Sequence, residues 1–248
     1  MDVARDMISR NHMRLDTELV KRNLVKSRNQ AQELIKTGKI LVNGKIISKS
    51  NTDISSLDIV EVTENMKYVG RGGLKLEKAL EYFKINPKDM IAIDIGSSTG
   101  GFTDCLLQQD ASRVYAIDVG SDQLDASLRE NKKVVVLEKT DIRKATLPEL
   151  ADLAVIDVSF ISLAHILSDA IRLTKPKADI IALIKPQFEV GAEHIGKNGI
   201  VKDEKAREEA IHNALRAGET LGLRASSVIE SPIKGGEGNT EYLVLFRK

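Results

Sequence analysis

The stretch Ala92-Ile93-Asp94-Ile95-Gly96-Ser97-Ser98-Thr99-Gly100-Gly101-Phe102 is an apolar run that opens into a small-residue loop and then resumes with helical spacing. It predicts a strand, a tight turn and the start of a helix, the unit with which doubly wound α/β folds hold a nucleotide-like ligand. Gly96, Gly100 and Gly101 permit close backbone approach. No lysine follows them to hold a β/γ-phosphate, and their spacing departs from the G-x-G-x-x-G register of dinucleotide sites. Asp94 stands at the strand end, where a pyrophosphate would be repelled and a cationic ligand favoured. Asp94, Gly96, Ser97, Ser98, Thr99, Gly100, Gly101 and Phe102 therefore suit S-adenosylmethionine. A plain βα turn without a ligand is the alternative.

Outward from this loop the pattern alternates. Strands are expected at Met90–Ile95, Arg113–Val119, Lys133–Leu137, Leu153–Val158, Asp179–Ile184, Leu223–Glu230 and Glu241–Arg247, with helices at Gly101–Gln108, Asp122–Arg129, Phe160–Leu173 and Glu204–Leu221. Seven strands with interleaved helices imply a largely parallel sheet covered on both faces. Only the last two strands lack a helix between them, and Gly235-Gly236-x-Gly238-Asn239 supplies turn chemistry for an antiparallel hairpin. Ligands bind such sheets at the carboxyl ends of the strands. Asp118, ending the second strand, can accept from both hydroxyls of a ribose, and Asp141, after the third, can meet an adenine amino group. Caps and loops are the ordinary use of such aspartates.

The 248 residues leave room for one large domain or a medium one beside a small one. An apolar fraction of 42% and a charged fraction of 29% are those of a globular protein. Cys105 is the only cysteine, which excludes an internal disulfide and fits a reducing, cytoplasmic setting. Its expected place is a buried one against the sheet. His12, His165, His194 and His212 lack metal-ligand spacing, so no metal is expected. No run of 18 apolar residues suggests a membrane span. Residues 1–12 mix charges with few apolar side chains and read as a leader or disordered extension rather than a signal peptide.

The net charge of +1 hides an asymmetry. Between Val20 and Lys49 the basic residues Lys21, Arg22, Lys26, Arg28, Lys36, Lys39, Lys45 and Lys49 face Glu33 alone, a density that attracts phosphate backbones. A solvated surface with no partner is the plainer reading. Leu15, Leu19, Leu24 and Val25 suggest a first short helix and its turn; Ser27 is a good N-cap for a second helix to about Lys36, Gly38 suits its end, and Asn43-Gly44 a hairpin turn. The run Arg14-Leu15-Asp16, Ser27-Arg28-x-x-Ala31, Ile35-x-x-Gly38 and Val42-Asn43-Gly44 resembles the S-four RNA-binding domain. That resemblance implies a small α+β domain over residues 13–60, with Arg14, Arg28, Lys36, Lys39 and Lys45 facing structured RNA. Residues 61–70 read as a linker, and the paired Gly72-Gly73 as a break before a helix over Leu74–Phe83.

Asp157 ends the fourth strand and Lys185 the fifth. A lysine at the end of an apolar strand is costly to bury unless paired, and an ion pair with Asp157 is the structural reading. Lys75, Asp157, Lys185 and Glu241 match in order and context the Lys-Asp-Lys-Glu tetrad of FtsJ-like ribose 2′-O-methyltransferases. With the N-terminal domain and Asp157-Val158-Ser159-Phe160-Ile161-Ser162, the whole chain from Arg14 resembles the TlyA family, whose members were first named haemolysins. The Val-Ser-Phe after Asp157 differs from the Met-Ala-Pro type sequence of FtsJ itself and is shared by TlyA relatives.

The resemblance implies a Rossmann-like class I S-adenosylmethionine-dependent methyltransferase over residues 71–248, with a seven-stranded mostly parallel sheet whose last strand is antiparallel. It implies methylation of a ribose 2′-hydroxyl of cytidine, with ribosomal RNA or ribosomal subunits as partners. Lys185 is the candidate base; a second cation, Lys75, and partial removal from water favour its neutral form, while Asp157 and Glu241 oppose this and orient the amines. Arg71 adds a basic contact for RNA. Residues 186–203 read as a lid or a plain mobile connection, and Phe102 and Phe160 as core residues beside the site. Two other classes stay open: a non-catalytic RNA-binding assembly factor, separated by label transfer from the methyl donor to RNA, and a membrane-active haemolysin, separated by liposome leakage.

Overall fold

The computed structural model describes residues 13–64 and 66–247. The expectation of a leader at residues 1–12 lies outside them. The chain divides after Lys67 into two compact units.

The first unit contains β1 (Met13–Arg14), α1 (Leu15–Lys21), α2 (Arg28–Lys36), β2 (Ile40–Val42), β3 (Lys45–Ile46), β4 (Asp53–Ile54) and β5 (Val60–Val62). Ser27 caps α2 by accepting from the Gln30 amide, and Gly38 takes a φ of +72° just past its end. Asn43 and Gly44, at φ +51° and +75°, form the turn between β2 and β3. Leu15, Leu19, Leu34, Ile35, Ile40 and Ile54 close a small core. Val60–Val62 pairs with β2, so part of the segment expected as a linker belongs to this sheet.

The second unit runs α3 (Gly72–Phe83), β6 (Ile91–Ile95), α4 (Gly101–Gln108), β7 (Arg113–Ile117), α5 (Ala126–Arg129), β8 (Val134–Leu137), β9 (Ala151–Ile156), α6 (Leu167–Arg172), β10 (Thr174–Ile184), α7 (Pro186–Glu189), α8 (Glu204–Thr220), β11 (Arg224–Ala225), β12 (Ile229–Glu230) and β13 (Tyr242–Arg247). The strand order is β11-β13-β10-β9-β6-β7-β8, with β12 also pairing β13. Strands β6 to β10 are parallel, and β13 is antiparallel to β10. Both faces are buried, which is why these strands read as nearly continuous apolar runs. Ile93, Ile95, Ile180 and Ala182 face Leu167, Ala170 and Ala214 on one side. Ala92, Ile181 and Leu183 face Leu76, Leu80, Phe102, Cys105 and Leu106 on the other.

Several expectations change. The paired glycines begin α3 rather than break it, because a Cβ on Gly101 would lie 2.9 Å from the Gly73 nitrogen and 3.2 Å from that of Gly72. The α3 and α4 N-termini thus meet backbone to backbone. Tyr68, placed in the linker by sequence, is buried in the second unit's core. The sixth strand is two short pieces around Ser226 and Ser227. The helix expected at Asp122–Arg129 shrinks to α5, since the amides of Asp122, Gln123 and Leu124 donate to the Glu138 carboxylate instead of starting a helix. The helix expected from Phe160 is interrupted. Phe160 has a φ of +64°, Ser162 caps a short 3₁₀ turn over Leu163–His165, and α6 follows. Nor is Phe160 a core residue: it is 91% exposed, against Phe188 with ring centres 5.2 Å apart.

Candidate active site

The strand order reverses between β6 and β9, and the loop after β6 opens there, where ligands enter such sheets. Gly96 has a φ of +84°, and a Cβ on it would lie 2.4 Å from the Asp157 carbonyl oxygen, so the crossing of the loop over the end of β9 requires glycine. Gly100, at φ +96°, leaves room for Leu124 and Leu128. It shapes the loop from below, without lining either cavity described next.

Two adjoining cavities open at this edge. One, of about 350 Å³, is lined by Gly96, Ser98, Asp118, Val119, Asp141, Ile142, Arg143, Asp157, Ser159 and Phe160 among others. The second, of about 250 Å³, is lined by Arg71, Gly72, Lys75, Gly96 to Thr99, Gly101, Phe102, Asp157, Ser159 and Lys185. Asp118 is braced in the first cavity: Oδ2 accepts from the Ser98 amide at 2.8 Å and Oδ1 from the Gly120 amide at 2.7 Å. Each oxygen keeps a lone pair for a ligand hydroxyl. Asp141 is engaged by Arg143, whose Nε lies 2.9 Å from both carboxylate oxygens. The Arg143 guanidinium holds the carboxyl down at about 2.

Asp94 is placed differently from the expectation. It is fully buried, Oδ2 accepts from the Thr103 hydroxyl at 2.6 Å, and Oδ1 has no partner. Alternation along β6 turns its side chain toward α4 rather than into the cleft. Burial pushes its carboxyl up to about 7, opposed by the Thr103 hydrogen bond and reinforced by Asp157. It lines neither of the two cavities and is tied to α4 through Thr103.

Of the four residues singled out at the strand ends, Lys75, Asp157 and Lys185 line the second cavity, and Glu241 is buried against Lys75. Lys75 comes from the first turn of α3, Asp157 follows β9, Lys185 follows β10 and Glu241 precedes β13. Lys75 Nζ lies 2.6 Å from Glu241 Oε2 and 3.9 Å from Asp157 Oδ2; Lys185 Nζ lies 2.6 Å from Asp157 Oδ1. Asp157 thus bridges two lysines, each nearly withdrawn from water, with side chains 10% and 11% exposed. Two cations and two carboxylates leave the cluster neutral, the condition under which buried charges are tolerated. Gly235 closes over Glu241, since a Cβ there would lie 2.4 Å from Oε1.

Sequence reasoning missed three residues. Ser159 Oγ accepts from Lys185 Nζ at 2.9 Å. Glu189 accepts from the Ser162 hydroxyl at 2.6 Å and the Leu163 amide at 2.9 Å, tying the segment after β9 to that after β10; burial raises its carboxyl. Asn239 is buried and clamps Gly199 and Val201 through both ends of its amide. The Val-Ser-Phe departure after Asp157 was the available signal for the first; nothing local marked the other two.

In the first unit, Arg14 and Arg28 both lie 3.0 Å from Asp16, whose carboxylate is fully buried while their side chains are 47% and 56% exposed. The Arg14 hydrogen bonds, with those of Gln32 and Arg28, hold the Asp16 carboxyl well below the usual carboxylate range. Lys36 and Lys45 are exposed, while Lys39 is paired with Glu64.

A mostly parallel sheet ending in one reversed strand, with a glycine loop at its switch point and a carboxylate braced at the end of the next strand, defines a Rossmann-like methyltransferase. Residues 68–248 match the FtsJ-like methyltransferase family and residues 13–60 the S4 domain. The chain is 42% identical over 240 residues to the 16S/23S rRNA (cytidine-2′-O)-methyltransferase TlyA of Mycobacterium tuberculosis, covering 94% of this chain and 89% of that protein. It is 41% identical over 238 residues to Hemolysin A of Brachyspira hyodysenteriae, covering 94% and 99%. A solved structure named as a hemolysin, from Streptococcus thermophilus, superposes with a TM-score of 0.77 at 39% identity, covering 96% and 88%. The chain belongs to the FtsJ-like methyltransferase family, in its TlyA branch with an S4 domain ahead of the catalytic one.

Proposed function

We propose that this protein transfers a methyl group from S-adenosylmethionine to the 2′-hydroxyl of a cytidine ribose in ribosomal RNA, in the cytoplasm. The carrying observation is the convergence of Lys75, Asp157 and Lys185, with Glu241 buried against Lys75, at a cavity adjoining the one that suits the methyl donor. The donor set of that first cavity fits. Asp118 stands ready for ribose hydroxyls, Val119 and Ile142 offer apolar surface to a flat base, and its one guanidinium, Arg143, is taken by Asp141. Such a lining favours a cationic ligand without phosphates. S-adenosylmethionine, when bound, supplies a methyl group on a sulfonium, already activated for transfer.

The protein's tasks are alignment and removal of a proton. Lys185 takes the proton of the 2′-hydroxyl as that oxygen receives the methyl group that bound S-adenosylmethionine would supply, the sulfonium leaving as a neutral thioether. Asp157 holds the Lys185 amine, and Lys75, fixed by Glu241, keeps Asp157 from drifting. Arg71 lines the same cavity and meets the phosphate beside the target ribose. Residues 13–60 hold the RNA through Arg14, Arg28, Lys36, Lys39 and Lys45, and 71–248 perform the transfer.

The complete tetrad favours an enzyme over an assembly factor that only binds RNA. Among the described residues no helix is long and apolar enough to cross a membrane. Mass-spectrometric mapping of nucleosides in ribosomal RNA from cells with and without the protein tests the reading. Loss of 2′-O-methylcytidine at defined positions is expected; an unchanged methylation map refutes it.

A further inference from the structure

We propose that Ser159 is a positioning residue that aims the reactive lone pair of Lys185; the proposal rests on Lys185 being the base. An uncharged lysine amine has two N–H donors and one lone pair in roughly tetrahedral array. Held by the Asp157 ion pair alone, the amine can turn and the lone pair sweeps a cone. Here the amine lies 2.6 Å from Asp157 Oδ1 in an ion pair without hydrogen-bond geometry, and its hydrogen bond goes to Ser159 Oγ at 2.9 Å. One N–H direction is then set by Ser159, and the ion pair with Asp157 limits rotation about it, which narrows the arc open to the lone pair. Ser159 and Asp157 line both cavities, so the groups that hold the amine stand where the two adjoin, where a hydroxyl oxygen must meet the methyl carbon.

Ser159 can serve this purpose because its segment is held at both ends. The Asp157 amide donates to the Ile95 carbonyl at 3.0 Å, anchoring the start to β6. The Glu189 carboxylate takes the Ser162 hydroxyl and the Leu163 amide, anchoring the end to the segment that carries Lys185. Between them Phe160 makes the left-handed turn, with Phe188 from that same segment against its ring. The hydroxyl and the amine are therefore referenced to one another three times over, and a hydroxyl so fixed acts as a stop for the amine.

The test compares Ser159→Ala, Ser159→Thr and Lys185→Ala in the full chain, with S-adenosylmethionine and ribosomal RNA as substrates. Ser159→Ala is expected to lower kcat by about 10- to 100-fold, the loss typical of a misaimed catalytic group. KM for RNA, Kd for S-adenosylmethionine and the melting temperature should stay near those of the unaltered protein. Ser159→Thr, which keeps the hydroxyl, should recover most of kcat. A kcat for Ser159→Ala within about twofold of the unaltered protein, while Lys185→Ala is inactive, overturns this proposal and leaves the proposed function standing. A threonine variant as impaired as the alanine one also overturns it, because the hydroxyl is then not what matters. Substantial turnover by Lys185→Ala instead refutes the reading beneath it.

Discussion

The two units differ in how far their ion pairs of cation and carboxylate are withdrawn from solvent. In the first, the anion is inside: Asp16 is fully buried, and Arg14 and Arg28 reach outward from it half exposed. In the second, both partners are inside: Lys75 and Lys185 are nearly sealed from water, and so are Glu241 and, largely, Asp157. A buried anion fixes the arginines as rigid, forked donors whose outer edges stay available to phosphate. A buried lysine pair loses hydration and gains placement, which serves proton transfer rather than attraction. On the proposed function, one kind of ion pair makes a grip where its cation meets the solvent and a base where neither partner does.

The largest effect should come from breaking the inward pairing at its reactive end. Lys185→Ala is expected to reduce methyl transfer by about three orders of magnitude or more, with S-adenosylmethionine affinity by calorimetry nearly intact. A comparable fall in both would make Lys185 a binding residue. Glu241→Ala attacks the same pairing from its structural side. It strands Lys75 in a buried position, so we expect a loss of about 3–5 kcal/mol of stability in chemical denaturation, together with activity. A variant that melts normally would mean that water reaches Lys75 freely.

Asp94 extends the comparison to a buried carboxylate with no cation at all. Its folded carboxyl titrates at about 7, above the ordinary value near 4, so the folded state holds a proton that the unfolded chain releases. Stability should therefore fall as pH rises from about 4 to 7 and then level off. Asp94→Asn should remove that slope, being more stable than the parent by ~4 kcal/mol at pH 8 and equal to it at pH 4. Parallel pH profiles for the two proteins would contradict the assignment. The smallest effect belongs to the outward pairing. Arg28→Ala should weaken RNA binding by about 5- to 10-fold and lower the salt slope by about one, with kcat at saturating RNA unchanged. An unaltered salt slope would take Arg28 out of the RNA contact.

What was legible in the sequence followed from periodicity and from residues whose chemistry is local. The apolar strands, the Ser27 cap, the Asn43-Gly44 turn and the glycine loop all announce themselves within a few positions. The tetrad was legible only through resemblance, since no spacing brings Lys75 and Glu241 together. What escaped were decisions taken by distant partners. Glu189 determines where the segment after Asp157 turns, and Glu138 deprives α5 of its first turn. Phe160 looked like core because aromatic residues near strand ends usually are; a left-handed backbone turns it outward. Asp94 looked like a ligand contact because strand ends often are, yet pleat parity turned it inward.

The ion pair between Lys75 and Glu241 joins positions 166 apart in the chain. One partner sits on the helix that opens the second unit, the other at the start of β13, the strand inserted antiparallel beside β10. A centre closed in this way has no private way of coming apart: fraying α3 or lifting β13 dismantles it, and so does loss of the sheet between them. Catalytic competence then reports on the cooperative integrity of the whole sheet, and heat or denaturant should extinguish turnover along the same transition that melts the strands.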